Sequence, residues 1–402
     1  MNNTQITEAL LADIVSVPKA VVEKWRLSGK IVPKANGNYY MESLRQFHQI
    51  RDMLDTNWDE EAKTTPDRRY TAVELFAGGG GLALGLENAG FDHIALFDND
   101  KHSCATLRDN RPNWNVIEAD VREADYSGYT DVDLVTGGFP CQSFSYSGKK
   151  LGFEDTRGTL FYEFARAINE IRPKIFLGEN VRGLLTHDGG KTLETIKDII
   201  SQMGYTLVEP RVLKAIFYQV PQKRERLFLV GIRNDLLQTA NFAWPSPYRQ
   251  VFTLKDALKA GIMYPTDCPS SPGQSYSPAK QAVLMMVPPG GCWKDLPLAV
   301  QKSYMKGSFG QGGGKTGMAR RLSWSEPSLT LTTSPAQKQT ERCHPAETRP
   351  LNVREYARIQ SFPDEWEFSG PVGARYKQIG NAVPVNLAAA MGRSLVRLLN
   401  GI

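Results

Sequence analysis

A doubly wound α/β sheet is the fold that the sequence predicts for the middle of the chain, and three observations carry it. Short apolar runs at 71–76, 94–97, 132–136, 175–177 and 227–230 are bounded by Gly, Asp or Pro, as buried parallel strands should be. Stretches with helical spacing, among them 159–170 and 191–203, fall between those runs, the alternation of a sheet covered on both faces. The first run passes directly into Gly78-Gly79-Gly80-Gly81, a strand-to-helix turn of the kind that lets a cofactor approach the backbone.

With 402 residues the chain is too long for one ordinary core, so two or three domains are expected. Residues 1–68 read as a small helical unit with its linker. Residues 69–245 form the α/β domain, completed by 343–402, where helical patterns return at 353–360 and 385–399. Residues 246–342 differ: Pro, Gly and Ser are frequent and periodicity is weak, which marks a separate, loop-rich domain.

Within 1–68, apolar residues recur at helical spacing from 7 to 14, and Ser16-Val17-Pro18 reads as a turn into a second helix over 18–27. Gly29 ends that helix. Residues 30–40 read as a two-stranded wing turning at Asn36-Gly37-Asn38, 41–54 as a third helix, and the acidic stretch 55–67 as a linker. The order resembles the winged helix-turn-helix at the N-terminus of MerR-type regulators, with Trp25 and Gly29-Lys30-Ile31-Val32-Pro33 where that family has its Trp and wing entry. A purely structural three-helix cap is the alternative.

No apolar run approaches the ~20 residues of a membrane-spanning helix, and the N-terminus lacks the pattern of a secretory signal. Five cysteines, at 104, 141, 268, 292 and 343, are scattered without a Cys-x-x-Cys pair. That argues against disulfides and for a reducing cytoplasm. No metal is expected, because Cys343-His344 with Cys268 and Cys292 lack ligand spacing. The net charge of +5 is unevenly spread. Residues 246–350 hold 13 Lys and Arg against 6 Asp and Glu, and residues 19–51 hold 7 against 2. Two basic segments suit two surfaces facing a polyanion, although solvated faces without a partner fit the charge equally well.

The candidate cofactor residues begin with Phe76, Ala77, Gly78 and Gly80 in the turn. Asp98 and Asn99 end the next strand, where a carboxylate can accept both hydroxyls of a ribose. Asp120, with Val121, follows a further strand and can receive the amino group of an adenine. Nicotinamide, flavin and S-adenosylmethionine enzymes all share this much. The segment Gly137-Gly138-Phe139-Pro140-Cys141-Gln142-Ser143-Phe144-Ser145 separates them. It follows the fourth strand, whose end faces the ligand crevice of an open sheet. Glu179-Asn180-Val181 follows the fifth strand and Gln222-Lys223-Arg224-Glu225-Arg226 enters the sixth, at the same edge. A dinucleotide oxidoreductase leaves Cys141, Glu179 and Arg226 without a task.

From Thr71 onward the sequence closely resembles the cytosine-5 DNA methyltransferases of the bacterial modification-methylase type. The likeness extends through Gly152-Phe153-Glu154-Asp155-Thr156-Arg157-Gly158-Thr159-Leu160-Phe161 and Arg354-Glu355-Tyr356-Ala357-Arg358-Ile359-Gln360-Ser361-Phe362-Pro363, and through Tyr376-Lys377-Gln378-Ile379-Gly380-Asn381-Ala382-Val383-Pro384. The resemblance implies an S-adenosylmethionine-dependent methyltransferase sheet, a target-recognition domain at 246–342, and S-adenosylmethionine as cofactor. Carbon 5 of cytosine is a weak nucleophile until a thiolate adds at carbon 6, and Cys141 would supply it. Glu179 would bind ring nitrogen N3 and the exocyclic amine, Arg226 the ring oxygen, and Arg224 would support the anionic environment. Pro140, Leu160, Asn381 and Val383 join the cofactor site by the same likeness. Asn99 stands where many members carry an aromatic, a loss of stacking of about 1 kcal/mol. The target base must be flipped out of the duplex, with Gln142, Ser145 and Ser147 contacting DNA from the loop 142–158.

Double-stranded DNA is therefore the expected partner, with a cognate restriction endonuclease as functional counterpart, and a cytoplasmic monomer as the working form. A tRNA cytosine-5 methyltransferase on the same catalytic domain is the nearest alternative. A DNA-binding regulator, acting through 1–68, is another. Catalytic elements begin only at Thr71, so the two functions are expected to be separable. The glycine run 310–317 does not make a phosphate loop, since Phe309 occupies its required first position. Flexible backbone near DNA phosphates is the expectation there.

Overall fold

The structure, a computed structural model, describes residues 4–140, 159–311 and 316–402. The N-terminal unit contains β1 (Gln5–Ile6), α1 (Glu8–Val15), α2 (Lys19–Leu27), β2 (Tyr39–Tyr40), α3 (His48–Leu54) and α4 (Trp58–Glu61). Thr7 caps α1 by accepting the Leu10 N–H at 3.2 Å, and Pro18 leads into α2. Leu11, Ile14, Val22, Tyr39 and Ile50 are fully buried between these elements.

The expected wing does not form. Residues 34–38 do close a turn, with the Gly37 N–H on the Lys34 carbonyl at 2.8 Å. Strand pairing instead joins β1 to β2, antiparallel, with Gln5 opposite Tyr40 and Ile6 opposite Tyr39. Pro33 has no N–H to offer a ladder in the segment meant for the first wing strand. The third helix is also shorter than its apolar pattern, since a single 3-10 turn at Met41–Leu44 precedes α3. The expected linker is docked chain. Trp58 of α4 is buried against Tyr248 at 5.2 Å between rings. Glu61 accepts from Ser246 N and Oγ at 2.9 and 2.8 Å.

The α/β domain contributes β3 (Tyr70–Leu75), α5 (Gly81–Ala89), β4 (Phe91–Asp98), α6 (Lys101–Asn110), β5 (Val116–Glu118), β6 (Leu134–Gly137), α7 (Leu160–Ile171), β7 (Ile175–Val181), α8 (Lys191–Gln202), β8 (Tyr205–Leu207), β9 (Arg211–Lys214), β10 (Gln222–Lys223) and β11 (Glu225–Arg233). The sheet runs β5-β4-β3-β6-β7-β11-β8, with β9 also on β11. Strands β5 to β7 are parallel. Strand β11 departs from the expectation, because it lies antiparallel to β7, β8 and β9. No crossover helix separates β8 and β9 from β11, and only hairpin-like connections remain. The reversal has a chemical consequence. A sixth parallel strand would put its first residues at the far edge of the sheet, whereas the reversed β11 brings Arg226 opposite Val181 and Phe228 opposite Glu179.

The remaining elements are α9 (Leu254–Leu258), α10 (Pro278–Met285), α11 (Leu298–Met305), β12 (Ser328–Leu329), α12 (Val353–Ile359), α13 (Val372–Asn381) and α14 (Val385–Leu399). Helices α5 and α14 cover one face of the sheet, burying Leu82, Leu86, Leu387 and Leu395 with Ala72 and Leu177. Helices α7 and α8 cover the other, burying Phe164, Ile168 and Ile196 with Val73 and Val135. Among the described residues one stretch, 372–399, is apolar and long enough to cross a membrane by composition, yet it is mostly buried inside the fold. The loop-rich region has its own small core around Leu284, Val287, Leu296 and Ala319. Its edges merge with the α/β domain. Leu254, Ala257 and Leu258 pack with Tyr356 and Ile359, and β12 pairs with β10.

Candidate active site

The glycine turn is built from left-handed backbone, with φ of +58° at Phe76, +54° at Gly78 and +84° at Gly80. Its tightest constraint lies at Gly81, where a Cβ would come within 2.2 Å of the Val383 carbonyl oxygen. The C-terminal segment thus closes directly over the turn. Trp366 Nε1 reinforces this by donating to the Gly79 carbonyl at 3.2 Å.

Asp98 ties the turn to the end of β4. Its carboxylate accepts the Gly78 N–H and the Asp100 N–H, each at 2.8 Å. Burial pushes the Asp98 carboxyl up, and those two N–H bonds oppose the shift. Each oxygen keeps a second lone pair, so the group can still accept a vicinal diol. Asp120 accepts the Arg122 N–H at 3.0 Å. Lys377 reaches Asp100 at 3.0 Å and bridges α13 to the same edge.

These groups open onto one cavity of about 710 Å³, lined by Phe76, Ala77, Gly78, Asp98, Asn99, Asp120, Val121, Pro140, Leu160, Asn381 and Val383. Gly80 is a correction to the expected cofactor set: it does not line the cavity, and a Cβ there would meet Trp366 at 2.7 Å and Leu107 at 2.8 Å. Its bare backbone serves packing on the inner side of the turn. Gly79 and Gly81 line the cavity in its place, with Asp100, Ser103, Lys377 and Gln378, none of which sequence reasoning singled out. Lys377 and Gln378 lie inside the motif at 376–384, and the bonds of Lys377 to Asp100 and of Gln378 to Thr106 of α6 fix them on the cofactor side.

Glu179 and Arg226 line the same cavity. Arg226 Nε lies 2.5 Å from Glu179 Oε1, with both side chains almost buried. That ion pair holds Oε1, which is shielded from solvent. A Cβ at Gly138 would sit 2.8 Å from Glu179 Oε2, so a larger residue there would push on the carboxylate. Asn180 Nδ2 donates to the Phe139 carbonyl at 2.8 Å. Cys141, Gln142, Ser145 and Ser147, with the loop 142–158, lie outside the described residues, as do Gly312 to Lys315 of the glycine run.

Arg224 is the second correction. Its buried guanidinium donates to the carbonyls of Leu331, Gly380 and Asn381 at 3.2, 2.9 and 3.4 Å, and it does not line the cavity that holds Glu179. Burial, then the charge of Arg226, pulls its pKa well below the usual value. The side chain clips three segments together rather than facing the reacting groups.

A glycine turn and a paired carboxylate and guanidinium, lining one cavity at the edge of a mostly parallel sheet, place the protein among the doubly wound α/β proteins that bind a ligand at that edge. The chain belongs to the C-5 cytosine-specific DNA methylase family, whose model matches residues 70–397. It is 61% identical to the Type II methyltransferase M.Eco47II of Escherichia coli, over 98% of this chain and 95% of that protein. It is 57% identical to the Type II methyltransferase M.PspPI of Psychrobacter sp. (strain TA137), over 99% and 97%. A crystal structure of a prophage-encoded E. coli protein, assigned as a DNA modification methyltransferase, shares the fold at a TM-score of 0.64 and 23% identity, over 82% of this chain and 99% of that one. The protein is a DNA cytosine-5 methyltransferase that uses S-adenosylmethionine, and the tRNA alternative is not favoured.

Proposed function

We propose that the protein methylates cytosine within a specific double-stranded DNA sequence, by flipping the base into the Glu179–Arg226 side of the cavity and attacking it with Cys141. The observation that carries this reading is the 2.5 Å pairing of Glu179 and Arg226 across the cavity from the glycine turn, beside Pro140, the residue preceding Cys141. S-adenosylmethionine, when bound, supplies an electrophilic methyl group on its sulfonium. The residues present suit it: a turn without Cβ atoms at Gly79 and Gly81, and the Asp98 lone pairs.

The Cys141 thiolate adds to carbon 6 of cytosine, and the displaced electron pair becomes available at carbon 5. Glu179 holds N3 and the exocyclic amine, which favours the charge that develops as sulfur adds. Arg226 binds the ring oxygen and holds the Glu179 carboxyl in place. Once carbon 5 carries the methyl group, its proton leaves to solvent, the double bond reforms and the thiolate is expelled. Residues 246–342 read the DNA sequence, a role supported by their basic, loop-rich composition. The Type II names of the two relatives support a restriction-modification setting; a cognate endonuclease as functional counterpart and a cytoplasmic monomer as the working unit complete the proposal.

A duplex carrying 5-fluorocytosine at the target tests the covalent step, because fluorine at carbon 5 cannot leave as the proton does. Incubation with S-adenosylmethionine should give a stable protein–DNA adduct mapping to Cys141. An adduct at another residue, or rapid methylation without one, would refute the mechanism.

A further inference from the structure

The N-terminal unit is bonded to β10, the short strand that leads into the one carrying Arg226. Asp13 of α1 lies 2.7 Å from Lys223 Nζ, and Lys223 also reaches Glu326 at 3.2 Å. Glu326 in turn pairs with Lys19 of α2 at 2.7 Å. Two carboxylates and two ammonium groups thus close an alternating chain, and Asp13 and Glu326 are largely buried. The N-terminal core is completed by Ile216 and Val251, residues from outside it that are themselves buried.

Lys223 sits where movement would matter. Its carbonyl accepts from Thr330 Oγ1 at 2.6 Å, its strand pairs with β12, and the next residue is Arg224 with its three carbonyl contacts. Two residues beyond Arg224 is Arg226, against Glu179. A displacement at Lys223 would therefore be felt at the pair that is to hold the base. Contacts between charged, buried partners are worth keeping intact, because loss of one partner leaves the other uncompensated.

We propose that the N-terminal unit is a built-in brace of the catalytic site, and that Asp13 is a positioning residue which, through Lys223, holds Arg226 and Glu179 in register for the flipped base. The proposal rests on the reading of Arg226 and Glu179 as the base-holding pair. It assigns to 1–68 a part in the established reaction rather than an independent task.

The test uses the full chain with Asp13→Asn, Lys223→Met and the double variant, in single-turnover methylation of duplex DNA. Each single variant should lose about three- to tenfold in rate, and the double should lose no more than the worse single, as coupled neighbours do. S-adenosylmethionine affinity should stay unchanged, since the cofactor lobe lies elsewhere. Asp13→Glu should restore more of the rate than Asp13→Asn. Additive losses, an unaltered rate in Asp13→Asn, or a parallel fall in cofactor affinity and thermal stability would overturn the brace. Arg226→Ala distinguishes the two readings. If it retains methylation, the base-holding assignment fails; if it is inactive while Asp13→Asn keeps the parental rate, only the brace fails.

Discussion

The side-chain amide of Asn180 donates to the main-chain carbonyl of Phe139 at 2.8 Å, and both residues are buried. That carbonyl belongs to the peptide entering Pro140. The strand that carries Glu179 therefore also sets the backbone at Pro140, the residue before Cys141.

Asn180→Ala should leave that buried carbonyl without a donor and free the Pro140 peptide to turn. Small errors in the placement of a nucleophile cost about 100-fold in rate. The expected outcome is a loss of about ten- to 100-fold in single-turnover methyl transfer, with cofactor affinity kept. Asn180→Asp should be worse, because it sets an anion against the carbonyl. An Asn180→Ala enzyme at the parental rate would show that Pro140 alone fixes the approach.

Cys141→Ser should abolish methyl transfer while S-adenosylmethionine binding, measured calorimetrically, stays near the parental value. A hydroxyl at this position is not ionised near neutral pH and adds poorly to carbon 6. Appreciable turnover by the purified variant would remove the covalent route.

The glycine turn gives a paired comparison. Gly81→Ala drives a methyl group to within 2.2 Å of the Val383 carbonyl, a backbone atom that cannot rotate away, whereas nothing lies within 4 Å of a Cβ at Gly128. Forcing a methyl into a packed site costs typically about 1–3 kcal/mol. Gly81→Ala should melt several degrees lower and gain less from added S-adenosylmethionine, and Gly128→Ala should match the parent on both counts. Equal melting curves for the two variants would contradict the close approach of the C-terminal segment.

What was legible in the sequence depended on how local the cause is. The parallel strands, and the meeting of Asp98, Asp120 and Glu179 at one cavity, follow from short patterns that a neighbouring segment does not rewrite. Gly80 could not be told from Gly79 and Gly81, because the difference lies in Trp366 and Val383, almost 300 residues away in the chain. Arg224 was given a part in the anionic environment by the family likeness; in a regular strand it would share a face with Arg226, two residues on, but it falls between β10 and β11, and the carbonyls of Leu331 and Gly380 claim it. The direction of β11 was likewise invisible in its apolar run, since parallel and antiparallel buried strands share one composition.

Asp133 sets a pH dependence of stability. Its carboxylate is fully buried and accepts from Arg68 at 2.6 Å and from the Thr71 N–H at 3.0 Å, with Lys174 at 3.3 Å. Burial works against the charge, but Arg68, the Thr71 N–H and Lys174 hold the carboxyl below its usual range. A depressed pKa means stability that is present above the ordinary carboxylate range and lost as pH falls through the folded-state value. Asp133→Asn should therefore cost about 2 kcal/mol or more near neutral pH, with the gap to the parent closing in acid. Denaturant melts at several pH values check this; a gap independent of pH would mean that packing, not charge, is what the substitution removes.

Removing residues 1–68 offers a last prediction, and the shared core turns it against the separability that the motif order suggests. Ile216 and Val251 are 3% and 5% exposed and pack into the core of the N-terminal unit. Trp58 is 6% exposed and packs into the main core, with Arg393 stacked over its ring at 4.8 Å. Arg397 reaches Glu61 at 3.2 Å. Uncovering a large apolar side chain costs about 1.5–3 kcal/mol, so losing the cover over Ile216 and Val251, with Trp58 removed from its pocket, removes a large part of a typical domain's net stability of about 5–15 kcal/mol. The truncated protein should unfold at a markedly lower temperature and aggregate at concentrations where the full chain stays dispersed. Light scattering during a thermal ramp measures both. A truncated enzyme that stays dispersed, melts with the parent and methylates DNA at the parental rate would restore the view of 1–68 as a detachable unit.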